Sequence, residues 1–439
     1  MATEASTKSG GARSFLGIGL IGLGALLITL ALAFAFFVVP AQKKTPLDTT
    51  SLSLTEPAPG NTLVPAAFAA GEPVDSRADL PECELEAADE DAEAAAEAEA
   101  TAEGEAPAED EMALAADGEE ATLPMACFME NGVPIYTQRS VSTVEPSDSD
   151  VVTLQAAQSV LREDIDSEDG TEGLISATVD RVTTDRVTAE PVDEPTSTLK
   201  LVSGGDPESD PAPTGFVREG LQYKFPFDTE QTSYDYFDAS TFTTNPIDFV
   251  EETEVNGVTA YKFEQDLGPI NMFESIRDHY AETEDGYSET AESVLTSYRL
   301  DTATAGQWGL EGDADREVTM DRFYTNKRTL WVSPETGQIL NGNESQFQFF
   351  AEDQEEAEEF FSNAEAVADE KADPTRTAVF LEAAWDEETK AAATSSTQES
   401  ADTLRTFGTT VPLVLGVLGV LALIAGAVVG LRGGGRARA

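Results

Sequence analysis

Apolar positions along the chain fall into two unbroken runs near the ends and several alternating runs between them. Phe15 to Val39 is 25 residues without a charge, and Val411 to Leu431 is 21. Each reaches the ~20 apolar residues that cross a ~30 Å hydrocarbon layer, so each predicts a transmembrane helix. The first run is too long for the apolar core of a cleaved signal peptide, which is about 7–15 residues. Its one small-x-small triplet, Ala33-Phe34-Ala35, lies inside the run instead of after it. It therefore reads as an uncleaved signal anchor.

Between the runs the period drops to two. In Gly220–Glu230 (GLQYKFPFDTE), Leu221, Tyr223, Phe225 and Phe227 fall on one face and Gln222, Lys224 and Asp228 on the other. That is the pattern of a half-buried strand. VTAYKFEQDL alternates through Tyr261, Phe263 and Leu267 just after the turn signal Asn256-Gly257. RTLWVSPETGQIL predicts a hairpin, with Leu330 and Val332 before a turn at Ser333–Gly337 and Ile339 after it; SQFQFF adds a further alternating run. Helical patches are fewer: Glu352–Lys371, and Thr389–Thr406 leading into the second apolar run.

Composition then changes the picture. Thr45 to Arg77, rich in Pro, Ser and Thr, reads as a stalk. From Ala78 to Gln138 there is no Lys or Arg. Like charges at helical spacing repel, so Glu84–Glu120 reads as a largely disordered, self-repelling loop, a solvating shield, with a calcium-collecting or partner-binding tail as the alternative. The organisation expected is a cytoplasmic tail (1–14), a spanning helix (15–39), a linker (40–77), an acidic insert (78–138), a β-rich ectodomain (139–388), a juxtamembrane helix (389–409), a spanning helix (410–431) and a basic tail (432–439). The fold class is membrane-anchored, with a β-rich, all-β to α+β ectodomain between N- and C-terminal transmembrane helices.

The chain carries 26 basic and 83 acidic residues, net −57. Nucleic acid is excluded as a partner, because binding it requires basic surface to displace counterions. Orientation follows the basic residues near the apolar ends. Arg432, Arg436 and Arg438 follow the second run, while Lys8 and Arg13 balance Lys43 and Lys44 around the first. Both termini are thus expected in the cytoplasm of a two-pass plasma-membrane protein, with the main domain outside. In that compartment Cys83 and Cys127, the chain's two cysteines, most simply form a disulfide at the base of the acidic insert.

Four stretches also come in a recognisable order: TVDRVTTDRVT (Thr178–Thr188), YKFPFDTEQTSYDYFD (Tyr223–Asp238), NGVTAYKFEQDL (Asn256–Leu267) and LWVSPETGQIL (Leu330–Leu340). A Pro-initiated, Gly-rich terminal run, VPLVLGVLGVLALIAG, follows them. This order resembles the actinobacterial porin PorA family of two-span envelope proteins. The likeness covers most of Phe15–Leu431, apart from the acidic insert and Gly268–Asp321. It implies a cell-envelope location and a β-rich ectodomain, and it brings no catalytic residues.

Sites for chemistry are scarce. Gly17-Ile18-Gly19-Leu20-Ile21-Gly22 matches the dinucleotide fingerprint, but that motif belongs between a strand and a helix, and here it lies inside an apolar run. His279, the lone histidine, has no nucleophile elbow to serve; it reads as an exposed structural residue. Asp164–Ile175 begins like a calcium loop, yet Gly170 falls one position late and Ile175 stands where a bidentate Glu belongs. No cofactor, metal site or catalytic residue is expected. A curved β-domain could carry an apolar groove lined by Tyr223, Phe225, Phe227, Tyr261, Phe263, Phe347 and Phe349; ordinary sheet core is the plainer reading of the same rings. The small-residue pair Gly426-x-x-x-Gly430 would suit close helix packing or self-association; that Gly and Ala are common in any membrane helix is the plainer reading. The expectation is a non-enzymatic envelope component that binds or conveys lipids or partner proteins. An oligomeric, porin-like channel is the alternative, and an envelope hydrolase comes third.

Overall fold

A computed structural model describes residues 8–84, 123–165, 173–202, 215–282 and 289–434. Most of the acidic insert and most of the calcium-like loop lie outside the described residues. Within them, one sheet dominates. Its thirteen strands are β1 Thr50–Leu54, β2 Ala58–Leu63, β3 Met129–Val144, β4 Val151–Arg162, β5 Leu174–Asp185, β6 Thr198–Val202, β7 Tyr234–Asp238, β8 Thr243–Val255, β9 Val258–Asn271, β10 Arg299–Leu300, β11 Met320–Val332, β12 Ile339–Ala351 and β13 Thr377–Ala384. The path runs β6-β5-β4-β3-β2-β13-β12-β11-β9-β8-β7, with β1 beside β3 and β10 beside β11.

Local chemistry sets the hairpins. Val255 pairs with Val258, and both intervening residues, Asn256 and Gly257, have positive φ. That is the two-residue turn whose twist matches its strands. Val332 pairs with Ile339 across the Ser333–Gln338 turn, where Gly337 takes a φ of 70°.

Three sequence expectations change here. β3 begins at Met129, inside the 78–138 stretch expected as the acidic insert. The 40–77 linker contains β1, which pairs with β3, and β2, which enters the sheet between β3 and β13. The small Gly60 is what lets β2 in, since a Cβ there would lie 2.4 Å from the Phe380 carbonyl oxygen. Gly220–Glu230 is not a regular strand: Gly220, Tyr223 and Asp228 all have positive φ, which breaks the pleat. Lys224 consequently turns inward and is buried.

The sheet curls on itself as a half-barrel. Arg139 on β3 meets Glu344 on β12 at 3.7 Å, although β2 and β13 lie between those strands in the path. Leu201 on the end strand β6 shares a core with Tyr324 on β11. Twist accumulated over many strands brings distant ones face to face. Helices Gln354–Ser362 and Ala364–Ala372 cover the outer face of β11 and β12, where Phe360 and Phe361 pack on Phe323, Phe347 and Phe349. Asp353 and Asn363 cap these two helices, each accepting a backbone N–H through its side chain.

Both ends of the chain leave this domain as long helices. One runs Lys8–Ala33, a π-helical turn Phe34–Val38 and Val39–Gln42. The other runs Glu387–Arg405, a π-helical turn Thr406–Thr410 and Val411–Gly434. Phe15–Gln42 and Glu387–Leu431 are long and apolar enough to cross a membrane.

Candidate functional site

The two apolar helices pack antiparallel, backbone against backbone. A Cβ at Gly24 would lie 2.6 Å from the Gly419 carbonyl oxygen, and one at Gly426 would lie 2.8 Å from that of Gly17. A Cβ at Gly419 would strike Ile28 Cγ1 at 2.7 Å. Gly17 and Gly24 are seven residues apart, as are Gly419 and Gly426, so each pair recurs on one helix face. Phe34 and Phe407 stack at 6.3 Å where the two π-helical turns meet. The seam therefore has no bore. Gly426 is engaged inside the chain, against Gly17 and Ile21; the signal missed in the sequence was the seven-residue glycine spacing on both helices.

The outer faces of the pair are apolar and exposed, including Leu16, Ile18, Leu26, Leu413, Val417 and Leu421. Thr29 is the polar exception between Phe15 and Val39, and its hydroxyl donates to the Ala25 carbonyl at 2.9 Å.

Charged tethers join the helices to the domain. Lys43, just past the first helix, pairs with Asp228 at 2.5 Å. Lys44 donates to the Ser149 carbonyl at 2.6 Å and pairs with Asp150 at 3.1 Å. Arg405 pairs with Glu335 at 3.0 Å, and Thr397 donates to Gln338 at 2.7 Å. The FPFDT loop and the SPETG turn dock on each other at this base. Phe225 N–H donates to the Gly337 carbonyl and Thr229 N–H to that of Pro334, both at 2.8 Å. A Cβ at residue 337 would sit 2.0 Å from the Phe225 oxygen, so glycine is required there. Two stretches that carried the family resemblance thus meet where the helices attach.

The half-barrel interior is filled by ion pairs. Arg328 donates to Asp238 at 3.0 Å, to Gln265 at 2.6 Å and to Glu344 at 3.2 Å. Tyr324 donates to Asp238 at 3.2 Å. Burial pushes the Glu344 carboxyl up, but Arg328 and Arg139, with the Gln346 amide, outweigh it and hold it at about 2. A second pair, Arg218 with Asp180, is 3% and 1% exposed and takes the Tyr223 hydroxyl as a further donor. Arg139 lies over the Tyr223 ring at 5.9 Å and links the two groups. Sequence reading missed these pairs, because charged residues alternating on strands look solvated.

The groove candidates separate. Phe225 and Phe263 are fully buried with ring centroids 4.9 Å apart in one core, against which Tyr261 packs. Tyr223 sits against another core, and Phe227 lies under the Lys224 ammonium at 3.9 Å. Phe347 and Phe349 stack at 5.1 Å on the opposite sheet face, beneath Phe360. The seven rings share no single lining. His279 is half-buried, not exposed: its ring packs on Phe242 at 4.1 Å and Phe216 at 4.5 Å. Burial, then the Arg218 charge, lower its pKa to about 4. At the end of the domain away from the helices, Cys83 and Cys127 form a disulfide, with a Cα–Cα distance of 5.5 Å, in a core with Trp308 and Phe350.

The architecture is thus a half-barrel domain joined to a closed pair of helices that are long and apolar enough to cross a membrane. Residues 16–428 match the Porin PorA family, and the chain belongs to that family. A Porin PorA of Corynebacterium resistens is 36% identical, covering 94% of this chain and 95% of its own length. A Porin PorA of Corynebacterium amycolatum is also 36% identical, covering 94% of this chain and 97% of its own. These relatives overturn the expectation of a non-channel component that binds or conveys lipids or partner proteins, since a porin is a channel former.

Proposed function

We propose that the chain is a non-enzymatic, channel-forming membrane protein whose aqueous path forms between copies. The observation that carries this reading is the match of residues 16–428, helices and domain together, to a family of porins. Geometry narrows where a path can run. The helix seam is closed, since even a Cβ at Gly24 would lie only 2.6 Å from the Gly419 carbonyl oxygen, and buried ion pairs occupy the half-barrel interior. Apolar spans with exposed faces must meet lipid or one another, so several copies surround the path. Both termini lie in the cytoplasm, the arginines after the second span holding the C-terminus there. The domain lies outside, with its tethered base at the membrane. Its charge, within a net of −57, concentrates cations at the mouth. The test is the reversal potential of purified protein in planar bilayers under a salt gradient. Discrete conductance steps with a cation-selective reversal are expected. Absence of steps in membranes shown to contain the protein would overturn the reading.

A further inference from the structure

Lys224 occupies the junction between the two docked loops. Its ammonium donates to the Thr336 carbonyl at 2.8 Å and to the Phe225 carbonyl at 3.1 Å, and lies 3.9 Å from the centre of the Phe227 ring. It is buried, and among the described residues no carboxylate pairs with it. Glu230, at the end of its own loop, is exposed, and other charged groups on the elements around it are engaged elsewhere. On its own loop Asp228 holds Lys43; on the facing turn Glu335 holds Arg405. On the segment whose Val187 carbonyl accepts the Phe227 N–H, Arg186 donates to the carbonyls of Thr45, Asp148 and Ser149. Lys224, buried and held by carbonyls alone among the described residues, thus sits between the loop that tethers one helix and the turn that tethers the other.

We propose that Lys224 is a proton-operated latch, setting through the FPFDT loop and the SPETG turn how firmly the two spanning helices are held to the domain. Burial alone lowers its pKa to about 7. Above that pH the amine is neutral, and its polar contacts are both carbonyls that a neutral amine can still serve. Below it the junction must hold a desolvated ammonium without a counter-charge. That cost is relieved when the loops part and admit water, which displaces Asp228 and Glu335 and with them Lys43 and Arg405. The sign follows. The folded pKa lies below the ordinary 10.5, so the junction gains stability as pH rises from about 7 toward 10.5 and carries the full cost below about 7.

The gating consequence rests on the channel reading, so the test has two arms. In bilayers, open probability is measured as the pH on the domain side is stepped. A one-proton change that develops as pH falls from about 10.5 toward about 7 and levels off below about 7 is expected, absent in Lys224→Arg, whose guanidinium stays charged. In parallel, lysine side chains carrying ¹³C at Cε are titrated by NMR in the same protein. One resonance, missing from Lys224→Arg, should titrate near neutrality. A conducting protein with no pH response in that window, or with the same response in Lys224→Arg, overturns the latch. So does a wild-type spectrum in which every lysine titrates near its ordinary value. A protein that passes no current overturns the channel reading, while the NMR arm still decides the protonation of Lys224.

Discussion

At Asp180 one carboxylate accepts both a guanidinium and a phenol in a place that is 1% exposed. Removing it leaves Arg218 buried and unpaired, so Asp180→Ala should cost about 3–5 kcal/mol, read from denaturant unfolding of the detergent-solubilised protein. Glu344 makes a pH-dependent contribution. Its folded pKa of about 2 lies below the ordinary 4.5, so its stabilisation is present above about 4.5 and is lost as pH falls through about 2. Glu344→Gln should lower stability at neutral pH and flatten the loss of melting temperature on acidification; an unchanged acid slope would contradict the pairing with Arg328. These residues were the least legible in the sequence. Period-two alternation locates two faces of a strand but does not say that a curled sheet turns its charged face inward. The same limit misread Lys224, since positive φ at Tyr223 leaves no mark on the hydropathy pattern.

Elements were more legible than residues. The β8–β9 turn followed from Asn-Gly, and the β11–β12 hairpin from SPETG between alternating runs, because turn chemistry is local. β1 and β2 were missed since a Pro- and Ser-rich stretch joins the sheet only through long-range pairing. The glycine seam was read as composition, although its seven-residue spacing was visible. Gly24→Leu should open the seam by overpacking, costing about 1–3 kcal/mol in thermal unfolding. Gly22→Leu is the control: a Cβ there meets nothing within 4 Å, and the pair should hold. Equal losses in both variants would argue that the helices do not pack as described.

For the molecule as a whole, the disulfide ties Cys83 to Cys127 across 44 residues of separation, closing the acidic insert at the end of the domain away from the helices. Cys83→Ser with Cys127→Ser should cost about 2–4 kcal/mol in the domain's unfolding and leave the helix pair intact. Family and envelope placement were legible from ordered motifs and apolar runs. The channel assignment was not, because neither helix carries a polar stripe and a path between copies writes no pattern into one copy. The most direct test counts copies. Protein is reconstituted into vesicles at decreasing protein-to-lipid ratio, and the fraction of vesicles passing a cation flux is recorded. A path between copies predicts that this fraction falls more steeply than the fraction of vesicles holding protein. Flux persisting in vesicles with a single chain, or none at the highest loading, would contradict it.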